Sequence, residues 1–377
     1  MFAKGGPAVR SSLQEILQYI EQHEGRVWLK VAASPLLVLS WIYGLGVNLR
    51  WALQEFGTRA TVACPVISVG NITVGGTGKT PAVAWIAEFL IRNRIKTAIV
   101  SHGYGGGEGR SFVLLKDQEP SEEVAALAGD EAVLLSHLLP GVPVASGRKK
   151  RTVLLRTWRK LRPQVIIIDD GFQSISIRRD LDIVAVDATN PWGNGHLLPR
   201  GRLREKKESL SRADVVVLTR CNQCGDVSAL LTEIGTLTNA PVVKADHVIA
   251  RLRRLDTRAQ VESRTLNGAS VHAFSAIANP ASFERTLRDA GASLAGVTRF
   301  PDHHFFSPED LAEVENEAVF TRVKFLVTTE KDAVRLPSAW TLNRGIPLLA
   351  VGISLNVTEG RETLESLLFG LFGGHAK

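Results

Sequence analysis

Hydrophobic positions along the chain gather into short unbroken runs separated by longer periodic stretches. Residues 65–69, 97–101, 165–168, 182–186 and 215–219 are apolar with little polar alternation. Such runs predict strands covered on both faces, the pattern of a parallel sheet between helix layers. A second set follows at 270–275, 325–329 and 348–351. Helix-like stretches lie between them, at 80 to about 94, at 281–290, and after Ser307-Pro308-Glu309-Asp310. That last tetrapeptide combines a capping serine, a first-turn proline and acidic residues. The alternation predicts the α/β class, with one α/β/α domain over 56–225 and a smaller α/β/α domain over 269–377. Residues 226–268 are polar and carry Arg251, Arg253, Arg254, Arg258 and Arg264, so they read as an interdomain connection.

The amino-terminal 55 residues follow a different pattern. Residues 12–24 form a short amphipathic helix: Ser12 and Glu15 have capping-box spacing, and Leu13, Ile16, Leu17 and Ile20 share a face. Then come 19 uncharged residues, 31–49, between Lys30 and Arg50. That length lies at the lower edge of what spans a bilayer. Pro35, Ser40, Gly44, Gly46 and Asn48 dilute its hydrophobicity, while Trp28, Trp41, Tyr43 and Trp51 with Arg26, Lys30 and Arg50 are residue types that favour the headgroup zone. An interfacial anchor, a single span and a buried core helix all fit the run. On the first two readings, 1–55 is a membrane-associating segment.

Composition narrows the partners. A net charge of +7 over 377 residues implies an anionic partner: nucleic acid, a membrane surface or a phosphorylated substrate. No nucleic-acid module is recognisable, and only 6% of residues are aromatic, few for base stacking. Three cysteines exclude a disulfide framework, and Cys221-Asn222-Gln223-Cys224 supplies only half a zinc site. It reads as incidental. No obligate protein partner is evident.

The chemistry begins after the first strand, at Thr73-Val74-Gly75-Gly76-Thr77-Gly78-Lys79-Thr80-Pro81. Closely spaced glycines let successive backbone N–H groups converge on one anion, and the following helix turns its positive end to the same place. Lys79 then reaches the β- and γ-phosphates and the Thr80 hydroxyl ligates Mg²⁺. Thr73 stands where the general consensus has glycine. A nucleoside triphosphate binds here, with Thr73 to Thr80 as its cradle. Asp169 and Asp170 end the strand at 165–168, where such proteins hold Mg²⁺ directly or indirectly. Asp130 opens a helix, where an acidic residue also serves the helix dipole alone. In Asp302-His303-His304 a carboxylate-oriented imidazole acts as base or base-helper, or as a loop histidine. Residues 190–205 are too rich in Gly, Pro and Asn for regular structure and end in Arg200, Arg202, Arg204 and Glu205, like an active-site loop. Arg148-Lys149-Lys150-Arg151 opens a basic stretch suited to a solvated face, anionic lipid or substrate phosphate. A GTPase switch would carry Asn-Lys-x-Asp, and the corresponding strand end reads Thr219-Arg220-Cys221-Asn222. A soluble phosphate-loop NTPase switch therefore remains the alternative to a kinase.

The chain resembles the tetraacyldisaccharide 4'-kinases. The resemblance rests on residues 69–81, Gly129-Asp130-Glu131, Asp169-Asp170-Gly171-Phe172-Gln173, the loop 193–205, Phe300-Pro301-Asp302-His303-His304 and Val327-Thr328-Thr329-Glu330-Lys331-Asp332-Ala333. Thr73 is itself the family form of the loop. The resemblance implies transfer of the ATP γ-phosphate to the 4'-hydroxyl of an acylated glucosamine disaccharide 1-phosphate, with Mg²⁺. It implies work at the cytoplasmic face of the inner membrane of a Gram-negative bacterium. Asp130 is then the base paired with His303, and Lys79, Asp169, Asp170 and Arg151 complete the catalytic set. Gln173, Asn194 and Arg204 contact substrate, and Thr80, Asp170 and Glu205 hold the metal.

Overall fold

The computed structural model describes residues 34–55, 57–103, 112–117, 120–342 and 345–373. The helix expected over 12–24, with Arg26, Trp28 and Lys30, lies outside the described residues. In chain order, α1 (Ser34–Glu55) precedes β1 (Val66–Gly70), α2 (Lys79–Arg92), β2 (Thr97–His102), β3 (Val113–Leu115), α3 (Glu122–Ala128) and α4 (Asp130–Leu138). Then follow β4 (Val144–Gly147), α5 (Lys150–Leu161), β5 (Val165–Asp169), β6 (Leu181–Asp187) and β7 (Val215–Thr219). The second part comprises α6 (Ser228–Leu237), β8 (Val242–Arg254), β9 (Gln260–Val261), β10 (Ser270–Ser275), α7 (Pro280–Asp289) and β11 (Ser293–Arg299). It ends with α8 (Pro308–Phe320), β12 (Phe325–Thr329), α9 (Glu330–Ala333), α10 (Ser338–Leu342), β13 (Leu348–Glu359) and α11 (Arg361–Gly373).

These strands form one sheet in the order β11-β10-β12-β13-β8-β7-β6-β1-β5-β2-β4-β3, with β9 on β8. The unbroken apolar runs are its parallel core. Along β5, Val165 and Ile167 pack into one apolar cluster while Ile166 and Ile168 pack into another. Successive strand side chains point to opposite faces, so a strand with helices on both sides must be apolar throughout. β1 lies at the centre, parallel to β5 on one side and β6 on the other. The loop leaving its carboxyl end therefore emerges where the strand order reverses, the place at which open α/β sheets bind ligands.

Residues 226–268, expected as an interdomain connection, hold α6, β8 and β9 instead. β8 runs parallel to β7 through Val242 to Lys244 and antiparallel to β13 through Lys244 to Arg254, so it joins the two halves into one sheet. Its burial alternates position by position, unlike the core strands. That alternation, with polar residues on one face, makes a genuine strand read as polar coil. Arg251 is held by Glu330 at 3.2 Å and Arg254 by Asp256. The carboxyl end also crosses the expected boundary: Leu364 and Leu368 of α11 pack into the core around α2, and Phe369 meets Phe89 edge-on at 5.1 Å.

From Ser34 onward the 31–49 run is not a buried core helix. Within α1, Leu37, Val38, Leu39, Trp41, Ile42, Leu45, Leu49 and Leu53 are exposed, Trp41 to 81%. By length and composition 34–53 is apolar enough to cross a membrane. One stripe of the helix is nonetheless docked. Ser40 Oγ donates to the Leu197 carbonyl at 2.8 Å and accepts from Arg200 N–H at 3.1 Å, and Tyr43 Oη donates to the Arg204 carbonyl at 3.2 Å.

Candidate active site

The phosphate loop is braced from two sides. Thr73 forms an antiparallel bridge with Leu203, the Val74 N–H bonds the Arg202 carbonyl at 2.7 Å, and the Arg204 N–H bonds the Ile72 carbonyl at 2.7 Å. Position 73 thus works as a short strand against the 194–205 loop, which accounts for threonine where the consensus has glycine. On the other side, Thr219 Oγ1 donates to the Thr77 carbonyl at 2.9 Å and Arg220 Nη2 to the Gly76 carbonyl at 2.6 Å. Gly78 has φ of 83° and packs so tightly that a Cβ would come within 2.7 Å of His247 Nε2. It also stands as the N-cap of α2 with no side-chain cap, so the first N–H groups of that helix stay open to an anion.

Facing the loop is a charged floor centred on Asp170. Arg204 Nη1 donates to both its carboxylate oxygens at 2.9 Å, Lys79 Nζ lies 3.7 Å away and Lys150 Nζ 3.9 Å away. Lys150 also donates to the Asp170 carbonyl. Burial raises the Asp170 pKa, but Lys79, Arg204 and Lys150 outweigh it and hold the carboxyl well below the usual range. A cation at ~4 Å contributes about 4 kcal/mol at an effective dielectric near 20. Three of them exceed a desolvation cost of several kcal/mol. Asp169 goes the other way: burial, then Glu131 and Asp170, push it up to about 7. Ser101 Oγ donates to its Oδ2 at 3.2 Å, while its buried Oδ1 has no partner. Glu205 is buried between Gln173 Nε2 at 2.9 Å and Arg212 Nη2 at 2.7 Å.

Among the described residues no group of three or more His, Cys, Asp and Glu is arranged to hold a metal ion. Mg²⁺ on a phosphate-loop site keeps waters and phosphate oxygens and needs only one or two protein ligands. The Thr80 hydroxyl and the Asp170 carboxylate are hard oxygen donors of that kind, and Asp170 already faces Lys79. Glu205 has both oxygens engaged by Gln173 and Arg212.

Across the cleft, Asp130 and His303 meet although 173 residues separate them. Gly129, with φ of 90°, turns Asp130 into the start of α4, and His303 sits in the β11–α8 loop with φ of 61°. Their Oδ2 and Nδ1 are 2.8 Å apart. Arg335 Nη1 is 3.6 Å from the same oxygen and is anchored by buried Asp332. Lys331 Nζ stands 3.4 Å from both His303 Nε2 and Glu131 Oε1. Its neighbour His304 turns away, bonds Asp310 at 2.8 Å and stacks on Phe300. Asp302 approaches His303 Nε2 to 3.8 Å.

Opposing influences set the proton affinity of this pair. Burial raises the Asp130 pKa, but its bond from His303, with Lys331 and Arg335 nearby, holds the carboxyl far below its ordinary 3.8. Burial and the Lys331 cation push the His303 imidazole down, yet the bond and charge of Asp130, with Asp302, leave it above 6.5. The His303 contribution to the ion pair is therefore complete below 6.5 and is lost as pH rises through the raised value. The Asp130 contribution is present above 3.8 and is lost as pH falls through the depressed one. The Asp130 carboxylate is already ionised in this range, and loss of the His303 proton releases it from the ion pair, so turnover is expected to rise with pH through the raised His303 value. Burial pushes Lys331 down, but Glu131, Asp302 and Asp130 outweigh it and raise its pKa, so it stays cationic throughout that range. Lys331→Met removes a charge that lowers His303, and the acid limb of the kcat profile should move to higher pH. An unchanged limb would exclude His303 as the titrating group.

A cavity of about 590 Å³ opens between the phosphate loop and the second half, lined by Gly75, Gly76, Asp187, Asn279, Arg285 and Arg299 among others. Asp187 pairs with buried Arg220 and accepts from Asn279 Nδ2 at 3.2 Å. The sequence reading passed over Asp187, although an acid at the end of a parallel strand is the same signal as Asp169. It also singled out Arg151, which is exposed on the first turn of α5, whereas the adjacent Lys150 reaches Asp170. Gln173 Nε2 bonds the Asn71 carbonyl at 2.8 Å and ties Glu205 to the loop. Asn194 Nδ2 bonds the Arg200 carbonyl at 3.0 Å and so braces its own loop.

A strand-to-helix phosphate loop that opposes its lysine to an acidic strand end is the apparatus of a phosphate-loop nucleotide enzyme. The Asp130–His303 pair across the cleft gives it the form of a phosphotransferase. Comparison with known proteins is more specific. The family model for Tetraacyldisaccharide-1-P 4'-kinase matches residues 32–370, and the chain belongs to that family. It is 37% identical over 342 residues to the tetraacyldisaccharide 4'-kinase of Anaeromyxobacter dehalogenans strain 2CP-C, covering 90% of each chain. It is 39% identical over 310 residues to that of Geobacter metallireducens, covering 81% of this chain and 89% of the relative. Among solved structures, LpxK from Aquifex aeolicus in complex with ATP matches with a TM-score of 0.69 at 28% identity, over 90% of this chain and 99% of that one.

Proposed function

We propose that this kinase transfers the γ-phosphoryl group of ATP to the 4'-hydroxyl of a tetraacyl glucosamine disaccharide 1-phosphate. The carrying observation is the Asp130–His303 bond placed opposite the phosphate loop. The loop N–H groups and Lys79 hold the β- and γ-phosphates. Thr80 and Asp170 would hold Mg²⁺, which when bound would supply positive charge against the phosphates. Asp130, oriented by His303, takes the proton of the sugar hydroxyl as its oxygen bonds to the γ-phosphorus. The bond from that phosphorus to the bridging oxygen breaks, and ADP leaves. Arg204, held by Asp170 on the 194–205 loop, and Gln173 beside it reach the incoming sugar with Asn194 of the same loop, and Glu205 holds Gln173 in place. The test is direct: purified protein with labelled ATP and the disaccharide 1-phosphate should yield the bisphosphorylated lipid. Release of inorganic phosphate without lipid labelling would favour the NTPase-switch reading instead.

The substrate keeps its acyl chains in a bilayer, so the enzyme works at a membrane surface. We place it at the cytoplasmic face of the inner membrane of a Gram-negative bacterium, where ATP is available. Two observations support α1 as the contact. Its outward residues form a continuous apolar face, and its docked stripe holds the 194–205 loop. The triple variant Trp41→Glu, Leu45→Glu, Leu49→Glu leaves Ser40 and Tyr43 in place and should shift the protein from the vesicle pellet to the supernatant. Sedimentation unchanged from the parent would put the anchor elsewhere.

A further inference from the structure

The turn after β7 carries two thiols that phosphoryl transfer does not use. Cys221 and Cys224 bracket one 3-10 turn, closed by a bond from the Cys224 N–H to the Cys221 carbonyl at 3.2 Å. Turns of this kind bring the first and fourth Cα atoms within about 7 Å. Disulfides bridge Cα atoms about 4.4–6.8 Å apart. Both thiols are free, both are half-buried, and both pack against the same apolar cluster that contains Leu218 and Ile234. Both side chains therefore meet one apolar cluster from the same turn.

We propose that Cys221 and Cys224 are a reversible oxidation site, forming an intramolecular disulfide in the wall of the nucleotide cavity. Cys224 lines that cavity, and Cys221 Sγ donates to the Leu218 carbonyl at 3.3 Å. Because Cys224 is the one that lines the cavity, it meets an incoming oxidant first, and burial pushes the Cys221 thiol up. Its thiolate attacks one sulfur of a small-molecule disulfide and expels one thiol. Cys221 then loses its proton, attacks the mixed disulfide at Cys224 and expels the second thiol. Two protein thiols are oxidised to one disulfide, and the small disulfide is reduced to two thiols, which carry off both electrons and both protons.

The turn is tied to the site on both sides. Arg220, with φ of 58°, holds the Gly76 carbonyl of the phosphate loop. Gln223 binds Ser282 and Thr286 of α7, and its carbonyl accepts from Arg285 at 2.7 Å. Swinging Cys224 Sγ from the Asp226 carbonyl, now 3.8 Å away, toward Cys221 reshapes the wall between these anchors. The Asp130–His303 pair is held by other elements. Resting on the reading of this cavity as the ATP site, oxidation should raise KM for ATP about 3–10-fold and leave kcat within about twofold.

The experiment treats the full chain with oxidised glutathione, maps the disulfide by peptide mass, and measures ATP kinetics before and after dithiothreitol. A Cys221–Cys224 crosslink with a dithiothreitol-reversible rise in KM is expected, and Cys221→Ser should block both. Absence of the crosslink under conditions that oxidise an exposed dithiol, or a crosslink through Cys64, overturns the site. A crosslink with unchanged ATP binding overturns its role at the cavity. Because the crosslink is read by mass, it is judged separately from whether the lipid is the phosphate acceptor.

Discussion

Lys79→Ala is expected to bring lipid phosphorylation down by about 10³-fold or more, the scale seen when a preorganised group facing transition-state charge is removed. Lys79 is the first side chain of α2, immediately after the capless Gly78, so its ammonium meets phosphates already gathered by backbone N–H groups. Its ammonium lies 3.7 Å from the Asp170 carboxylate. Asp170 keeps Arg204 at 2.9 Å and Lys150 at 3.9 Å without it, so the floor of the site remains neutralised and the fold should survive. The check pairs turnover with thermal unfolding. A variant that melts like the parent and retains near-normal turnover would remove the phosphate loop from the mechanism.

Asp130→Asn is the second large effect, a fall in kcat of about 10²–10⁴-fold, the range of general-base contributions. KM for ATP should stay near the parent value, because Asp130 is bound to His303, Arg335 and the N–H of Glu131, none of which belongs to the phosphate loop. His303→Ala should produce a loss of similar order. The double variant should be little worse than either single one, since paired groups that act as a unit are not additive. If nucleotide affinity falls in proportion to kcat, Asp130 belongs to the metal site instead.

The parallel strands were the most legible part of the fold. Runs at 215–219, 270–275 and 325–329 match β7, β10 and β12 residue for residue. Their legibility has a cause: a strand buried on both faces has no room for polar residues, so the pattern marks it without context. β8 was missed because it is half polar, and α11 because nothing local says that a terminal helix returns to the core around α2. At the site, the phosphate loop was readable because its chemistry is carried by backbone and local spacing. Lys150 was not separable from Arg151, because adjacent cations on a helix differ only in the direction they face.

The amino-acid sequence by itself determined the α/β class, the phosphate loop, the acidic strand end at Asp169-Asp170 and the apolar helix near the start. Each depends on residues within one element or one turn. The tertiary structure alone decided that β8 fuses two halves into one sheet, that Arg335 and Lys331 gather around the Asp130–His303 pair, and that three cations converge on Asp170. It also decided that α1 holds the 194–205 loop by Ser40 and Tyr43 while exposing its other face. Those are facts about side chains brought together from distant positions, and a carboxylate acquires its charge state from neighbours that only folding supplies.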